Sequence, residues 1–237
     1  MANPYFSFKQ FTVFHDRCAM KVGIDGVLLG CWAPIENAHT ILDIGTGTGL
    51  IALMLAQRSN VSIEAIDIEE NAVLQALDNI ENSPWPERIN VQKVALQEFA
   101  ASTNKRFDLI VSNPPYFINS TKTPCENRTN ARHTDSLTHE ELMLNAKLLL
   151  TPAGRICLIL PVNEGLECIN FARTIGLFCT RHVWAFSKPN VVAKRVLLEF
   201  TLQANPTIVS ELTIESDERH QYSHAFSLLA KDFYMKL

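Results

Sequence analysis

The chain has 237 residues, of which 47% are hydrophobic, and a formal net charge of −4 at pH 7. This length and apolar content suit one α/β domain with a sizeable core. A negative net charge gives no sign of the basic footprint typical of nucleic-acid-binding proteins, although a basic patch on an acidic surface stays open.

Cysteine spacing and hydropathy exclude several further classes. The six cysteines form no C-x-x-C pair, so we expect no zinc site, no other metal site and no redox motif. No apolar run is long enough for a membrane span, and no apolar stretch follows a basic leader. We therefore expect a cytoplasmic protein with reduced thiols.

The N-terminal segment alternates apolar and polar residues over 6–15, which predicts a short strand or hairpin. Asp25 is then a candidate N-cap of a short apolar helix. Lys21 and two glycines flank this point, which suggests a loop folded over the edge of a ligand site. An ordinary cap helix explains the same residues equally well.

From residue 40 onward, strand and helix patterns alternate. Strands are predicted at 40–44, 61–66, 89–94, 107–112, 155–160, 178–186 and 195–202, with helices at 48–58, 69–81, 139–150 and 164–175. This order predicts an α/β fold with a seven-stranded, mostly parallel sheet and helices on both faces. The tail adds a possible strand at 208–215 and a helix at 223–234.

A glycine-rich turn follows the first of these strands, where Asp43 precedes Gly45, Gly47 and Gly49. Glycine tolerates positive φ and has no Cβ to block a ligand that approaches the backbone. The spacing is G-x-G-x-G, whereas the dinucleotide fingerprint is G-x-G-x-x-G. The turn therefore predicts a small-molecule site of another kind.

Two carboxylates favour one ligand for this site. Asp43 would repel a pyrophosphate but attract a cation, and S-adenosylmethionine carries a sulfonium and an ammonium. Asp67 ends the next strand, about 20 residues on, where a ribose hydroxyl expects an acceptor. We interpret the turn as a site for S-adenosylmethionine, with a dinucleotide site and a turn without ligand as the alternatives.

A second motif, Asn113-Pro114-Pro115-Tyr116, ends the strand at 107–112. In open α/β sheets the ligand lies beyond the carboxyl ends of the strands, so this motif and the glycine turn share one mouth. The Asn113 side-chain oxygen and the Pro114 carbonyl can accept the two hydrogens of a planar amine. Tyr116 can stack on a planar substrate. The alternative is a turn that only ends a strand.

Two basic clusters are candidate RNA contacts. Arg128, Arg132 and His133 follow the Asn-Pro-Pro-Tyr motif, and Lys194 and Arg195 lie at the end of the connection between the predicted strands at 178–186 and 195–202. Arginine can donate two parallel hydrogen bonds to a phosphate. Solvated loops would explain both clusters as well.

These motifs together resemble the tRNA1(Val) (adenine(37)-N6)-methyltransferase family. The resemblance rests on Phe11-Thr12-Val13, His15-Asp16, Ala19-Met20-Lys21-Val22-Gly23, the turn from Asp43 to Gly49, Leu53-Met54-Leu55-Ala56-Gln57-Arg58, Ser83-Pro84-Trp85, Asn113-Pro114-Pro115-Tyr116 and Asp232-Phe233-Tyr234. It implies a Rossmann-like class I methyltransferase that uses S-adenosylmethionine and acts on tRNA, with no protein partner. One domain over 1–237 is implied, with an extension at 1–36 at the cofactor edge, a core at 37–204 and a tail at 205–237.

The resemblance also implies roles for individual residues. Asp43, Gly45 and Gly47 would hold the methionine part, Asp67 the ribose, and residues 113–116, including Pro115, the target base. Lys21 would lie at the cofactor edge. Two positions depart from the family pattern: Ile24 replaces a threonine, and Ala95 replaces an aspartate that contacts the adenine amine. The Leu96 backbone or Gln97 would have to substitute for that aspartate.

Other functions fit parts of the pattern. The Asn-Pro-Pro-Tyr motif predicts a planar amine substrate and not a particular one, so release-factor glutamine, ribosomal guanine N2 and DNA adenine remain alternatives. Glutamine enzymes usually carry a helical N-terminal domain and DNA enzymes a recognition domain, for which this chain has little room. A non-catalytic RNA-binding or cofactor-sensing module is the alternative from another class.

Overall fold

A central sheet with helices on both faces organises the chain. The structure is a computed structural model that describes residues 3–18, 21–114, 137–218 and 221–236. Its elements in chain order are β1 (Tyr5–Ser7), β2 (Thr12–Phe14), α1 (Ile24–Trp32), β3 (Thr40–Ile44), α2 (Leu50–Arg58), β4 (Ser62–Asp67), α3 (Glu70–Glu81), β5 (Ile89–Lys93), α4 (Leu96–Ser102), β6 (Phe107–Ser112), α5 (His139–Leu149), β7 (Leu150–Pro161), α6 (Val162–Thr174), β8 (Phe178–Phe186), β9 (Arg195–Thr201), β10 (Ile208–Thr213) and α7 (His224–Ala230).

Within the described ranges the central sheet has eight strands, in the order β10-β8-β9-β7-β6-β3-β4-β5. Only β9 runs antiparallel to its neighbours in this sheet. The predicted α/β class and mostly parallel sheet are confirmed, but the count of seven is wrong. The eighth strand is β10, which corresponds to the possible strand predicted at 208–215. It lies at the sheet edge, where Ile208 and Val209 are exposed, so its sequence carries no strong pattern of burial.

The central strands are apolar because helices cover both of their faces. Ile41, Leu42, Leu109 and Ile110 are fully buried, as expected for parallel strands between two helical layers. One apolar cluster joins the sheet to α1, α2, α3 and α7, and a second joins it to α4, α5 and α6. Because β6, β3 and β4 are adjacent and parallel, their carboxyl ends lie side by side.

Most predicted elements lie within a few residues of their observed bounds, but two details were wrong. Helix α4 was not predicted, because it has only seven residues and only Leu96 and Phe99 are buried. Asp25 does not cap α1: the N-cap is Gly23, and Asp25 lies in the first turn. There it forms an ion pair with Arg195 over 2.9 Å.

The predicted N-terminal hairpin is confirmed as β1 and β2, which pair antiparallel. It packs against the C-terminal residues, where the backbone N–H of Lys9 donates to the Phe233 carbonyl over 2.8 Å. The ring centroids of Phe6 and Tyr234 are 5.7 Å apart. The two extensions therefore support each other beside the core.

Candidate active site

The glycine turn after β3 presents open backbone. Gly45 and Gly47 have φ of +68° and +56°, and a Cβ added at either would meet no atom within 4 Å. Gly49 differs, because a Cβ there would lie 3.4 Å from the Cβ of Ala76 on α3. Gly45 and Gly47 thus face the space where a ligand would lie, whereas Gly49 allows α2 to pack closely against α3.

Asp43 supports the turn from inside the protein. Its side chain is fully buried, and its Oδ2 accepts a hydrogen bond from the Thr46 hydroxyl over 2.7 Å. Its Oδ1 has no hydrogen-bond partner among the described residues. Burial, partly offset by the Thr46 hydrogen bond, raises the pKa of Asp43 to about 7. A nearby positive charge would favour its ionised form.

Asp67 holds the same turn from the neighbouring strand. Its Oδ2 accepts the backbone N–H of Gly47 over 2.8 Å, and its Oδ1 accepts that of Glu69 over 2.9 Å. Each carboxylate oxygen keeps a further lone pair. Asp67 is partly exposed at the carboxyl end of β4, so it can still accept hydrogen bonds from a ligand.

Asn113 follows β6, which pairs with β3. The last rung of this pairing joins Ile44 to Ser112, so Asn113 and Gly45 each lie one residue beyond it on adjacent strands. Asn113 is partly buried and Pro114 is buried. The glycine turn and the start of the Asn-Pro-Pro-Tyr motif therefore follow the carboxyl ends of adjacent strands, and their shared role in one ligand site stays a prediction.

The remaining cofactor-side predictions occupy different environments. Leu96 begins α4 beyond β5, and its side chain is buried in the core, which leaves only its backbone for a ligand. Lys21 is exposed ahead of α1, and no described contact defines the position of its ammonium. Pro115, Tyr116, Arg128, Arg132 and His133 lie outside the described residues.

The second basic cluster separates into two kinds of side chain. Arg195 donates from Nε to Asp25 over 2.9 Å and from Nη1 to the Lys194 carbonyl over 3.0 Å. Lys194 is exposed. Because its charge is balanced by Asp25, Arg195 is a weaker candidate for a phosphate contact than Lys194 is.

Sequence reasoning missed three polar residues that hold the site together. Thr46 and Ser112 are buried hydroxyl residues directly beside the two motifs. Asn79, on α3, donates from Nδ2 to the carbonyls of Phe14 and Thr48, both over 2.9 Å. The hydroxyls beside the motifs were visible in the sequence, but the two carbonyl partners of Asn79 depend on long-range packing.

The open turn and its acids fit S-adenosylmethionine. Gly45 and Gly47 offer backbone without a Cβ, Asp67 keeps acceptor capacity at the expected place for a ribose, and the buried Asp43 has an unpartnered oxygen. The part of the chain that the structure describes contains no group of three or more residues able to hold a metal ion. It also contains no helix long and apolar enough to cross a membrane.

The fold is that of class I methyltransferases. The structure is similar to that of a predicted O-methyltransferase from Agrobacterium tumefaciens, with a TM-score of 0.70, 17% identity, and coverage of 88% of this chain and 96% of that one. The structure of the ribosomal protein L11 methylase from Lactobacillus delbrueckii has a TM-score of 0.56 and 18% identity, with coverage of 76% and 77%. At these identities the similarity establishes the fold alone.

Sequence similarity identifies the family. Residues 26–169 match the family described as methyltransferase small domain. The tRNA1(Val) (adenine(37)-N6)-methyltransferases of Parabacteroides distasonis and Phocaeicola vulgatus are 51% and 48% identical to this chain, each over the full length of both chains. This protein belongs to the tRNA1(Val) (adenine(37)-N6)-methyltransferase family, as the resemblance predicted.

Proposed function

We propose that this protein transfers a methyl group from S-adenosylmethionine to N6 of adenine 37 in tRNA1(Val). The observation that carries the proposal is the pairing of β3 with β6, in which Ile44 lies opposite Ser112. It brings the open glycine turn next to Asn113, so a methyl donor and a planar amine can meet at the carboxyl ends of these two central strands. The full-length relatives support this choice of substrate.

The target amine would be held by acceptors. The nitrogen lone pair of an adenine amine is delocalised into the ring, so the amine presents two N–H donors in the plane of the base. The Asn113 side-chain oxygen and the Pro114 carbonyl would accept them. Pro115 would restrict the backbone and Tyr116 would stack on a base taken out of its helix. These residues supply orientation, and proximity provides much of the rate.

The cofactor would lie along the glycine turn. S-adenosylmethionine, when bound, supplies an electrophilic methyl group on its sulfonium. Gly45 and Gly47 would contact its methionine part through backbone, with Asp43 as the buried countercharge, and Asp67 would accept its ribose hydroxyls. The Leu96 backbone would replace the aspartate that the family has at the position of Ala95. Lys21 would lie at the edge of the cofactor site.

The RNA would extend beyond the sheet edge. Lys194 would contact phosphate, as would Arg128, Arg132 and His133, with Arg195 in a supporting position. We propose tRNA as the macromolecular partner, with no protein partner, in the cytoplasm. Residues 1–237 would form one domain, in which the extension 1–36 and the tail 205–237 flank the core 37–204.

The direct test is tritium transfer from labelled S-adenosylmethionine into total tRNA from a strain that lacks this gene. Label recovered as N6-methyladenosine at position 37 of tRNA1(Val) supports the proposal. Label in another nucleoside refutes the assigned position. Label in protein alone would refute the tRNA substrate and favour methylation of a release-factor glutamine.

A matched pair of variants tests the role of Asn113. Asn113→Ala should abolish methylation while tRNA binding persists, because the amine loses an acceptor. Asn145→Ala removes a partly exposed amide on α5 that bonds the Glu141 carbonyl, and it should keep full activity. Normal turnover by Asn113→Ala would contradict the mechanism.

A further inference from the structure

One buried hydroxyl connects the two halves of the site. Ser112 is 1% exposed, and its Oγ donates to the Ile44 carbonyl over 2.8 Å. Ser112 directly precedes Asn113, and Ile44 directly precedes Gly45. The bond therefore joins the residue before the substrate motif to the residue before the cofactor turn.

This bond lies at the last rung of the sheet ladder between β3 and β6. The pairing of β3 with β6 ends at Ile44 and Ser112. The Ser112 hydroxyl adds a side-chain donor to the Ile44 carbonyl, whose oxygen has two lone pairs.

The same peptide group is held from its other side. The N–H of Gly45, which shares a rigid plane with the Ile44 carbonyl, donates to the Ile66 carbonyl over 2.9 Å. The Thr46 N–H donates to that carbonyl over 3.1 Å. The first peptide of the glycine turn thus lies between β6, through Ser112, and β4, through Ile66.

We propose that Ser112 is a positioning residue that sets the glycine turn in register with Asn113. This inference rests on the proposed function, because it assigns the turn to the methyl donor and Asn113 to the acceptor amine. Ser112 contacts neither reactant in this assignment. Its hydroxyl instead fixes the distance between the two groups that hold them, and a displacement of about 1 Å can slow a reaction roughly 100-fold.

The position of Ser112 determines the kinetic signature of its loss. Without the hydroxyl, each reactant still finds its own contacts, so binding of each should change little. The reacting atoms, however, spend less time aligned for in-line transfer. A positioning role therefore predicts a lower kcat with nearly constant KM values.

Three substitutions separate the hydrogen bond from packing and general stability. Ser112→Ala removes the donor, Ser112→Cys keeps the approximate volume but offers only a weak donor, and Ser112→Thr keeps a hydroxyl. The control is Ser83→Ala, because Ser83 donates a similar bond, over 2.7 Å, to the Ile80 carbonyl at the far end of α3. The midpoints of urea unfolding would show how the stability of each variant compares with that of the wild-type protein.

We expect Ser112→Ala to lower kcat about tenfold or more, with KM for S-adenosylmethionine and for tRNA within about twofold. Ser112→Cys should resemble Ser112→Ala, and Ser112→Thr should recover most of the rate. Ser83→Ala should keep kcat within about twofold. A wild-type kcat in Ser112→Ala, or a loss in Ser83→Ala equal to that in Ser112→Ala, would overturn the proposal.

Hydrogen exchange of the backbone amides tests the role of Ser112 without a measurement of catalysis. In Ser112→Ala, the backbone amides of Gly45 and Thr46 should exchange faster than in the wild-type protein, whereas Ser83→Ala should leave them unchanged. Equal exchange in Ser112→Ala and wild type would refute the coupling. An inactive wild-type protein would instead refute the proposed function, and the exchange result would still decide the role of Ser112.

Discussion

Gly47 donates its backbone N–H to Oδ2 of Asp67 over 2.8 Å. The carboxylate at the end of β4 therefore holds the turn that follows β3, and it does so while remaining partly exposed. One side chain can thus shape the cofactor turn and still accept a hydrogen bond from the ribose. Loss of its charge should affect both roles together.

Asp67→Asn is expected to weaken S-adenosylmethionine binding at least tenfold. Asparagine has one acceptor oxygen, so either Gly47 or Glu69 loses its partner, and the ribose loses a charged acceptor. Isothermal titration would measure the change. Glu64→Gln is the control, because Glu64 lies on the same strand but bonds Asn90 and Gln92. Equal affinities for the two variants would contradict the assignment of Asp67.

The glycine turn permits a comparison at constant backbone strain. Gly45→Ala and Gly47→Ala should each lower cofactor affinity tenfold or more, since the new methyl group enters the ligand space. The control is Gly176→Ala, because Gly176 has a similar φ of +75° but lies after α6. It should destabilise the fold by a similar amount, about 1 kcal/mol, and leave affinity unchanged. Thermal melts and titration would be measured together, and an equal loss of affinity in all three would indicate strain alone.

The buried Asp43 predicts a dependence of stability on pH. Its pKa of about 7 in the folded protein exceeds the 3.8 of an ordinary aspartate, so its contribution is full below about pH 4 and is lost as pH rises through 7. Relative to Asp43→Asn, the wild-type unfolding free energy should fall by about 3 kcal/mol between pH 5 and 8. Urea unfolding at four pH values would measure it, and parallel profiles would exclude the ionisation of Asp43.

Asp43 should also link protons to cofactor affinity. A bound sulfonium or ammonium favours the ionised carboxylate, so wild-type affinity for S-adenosylmethionine should rise several-fold from pH 6 to 8. Asp43→Asn should lack this rise. Titrations at both pH values would compare the two proteins, and an equal rise in both would assign the effect to another group.

The ion pair between Asp25 and Arg195 should be structural. Asp25→Arg and Arg195→Asp should each lower the unfolding free energy by about 1 kcal/mol or more, because each replaces an attractive pair with two like charges at a partly buried position. The double variant should recover most of that loss. Urea unfolding would measure all three, and additive losses in the double variant would show that the two side chains do not interact.

Lys194 and Arg195 should differ in their effect on RNA. We expect Lys194→Ala to weaken tRNA binding several-fold and to reduce the slope of log affinity against log salt by about one. Arg195→Ala should change the slope less, because Asp25 already balances its charge. Filter binding at four salt concentrations would measure both slopes, and the reverse order would make Arg195 the phosphate contact.

Local patterns determined most of the fold. The strands at Thr40–Ile44, Phe107–Ser112 and Phe178–Phe186 were predicted to the residue. The first two are apolar because central parallel strands have no solvent-facing side. The short helix α4 was not predicted, and β10 was predicted only as a possible strand at 208–215. Their stability depends on packing against distant elements, and neither carries a long periodic pattern.

The sequence by itself determined the family, the glycine turn and the Asn-Pro-Pro-Tyr motif, because each is a contiguous set of residues with its own backbone chemistry. Only the tertiary structure decided how they are joined. Burial, which no local pattern reveals, raises the pKa of Asp43. The pairing of β3 with β6 gives Ser112 its carbonyl partner, and the approach of α1 to β9 directs Arg195 to Asp25. Such contacts link residues up to 170 positions apart, so they depend on the assembled sheet.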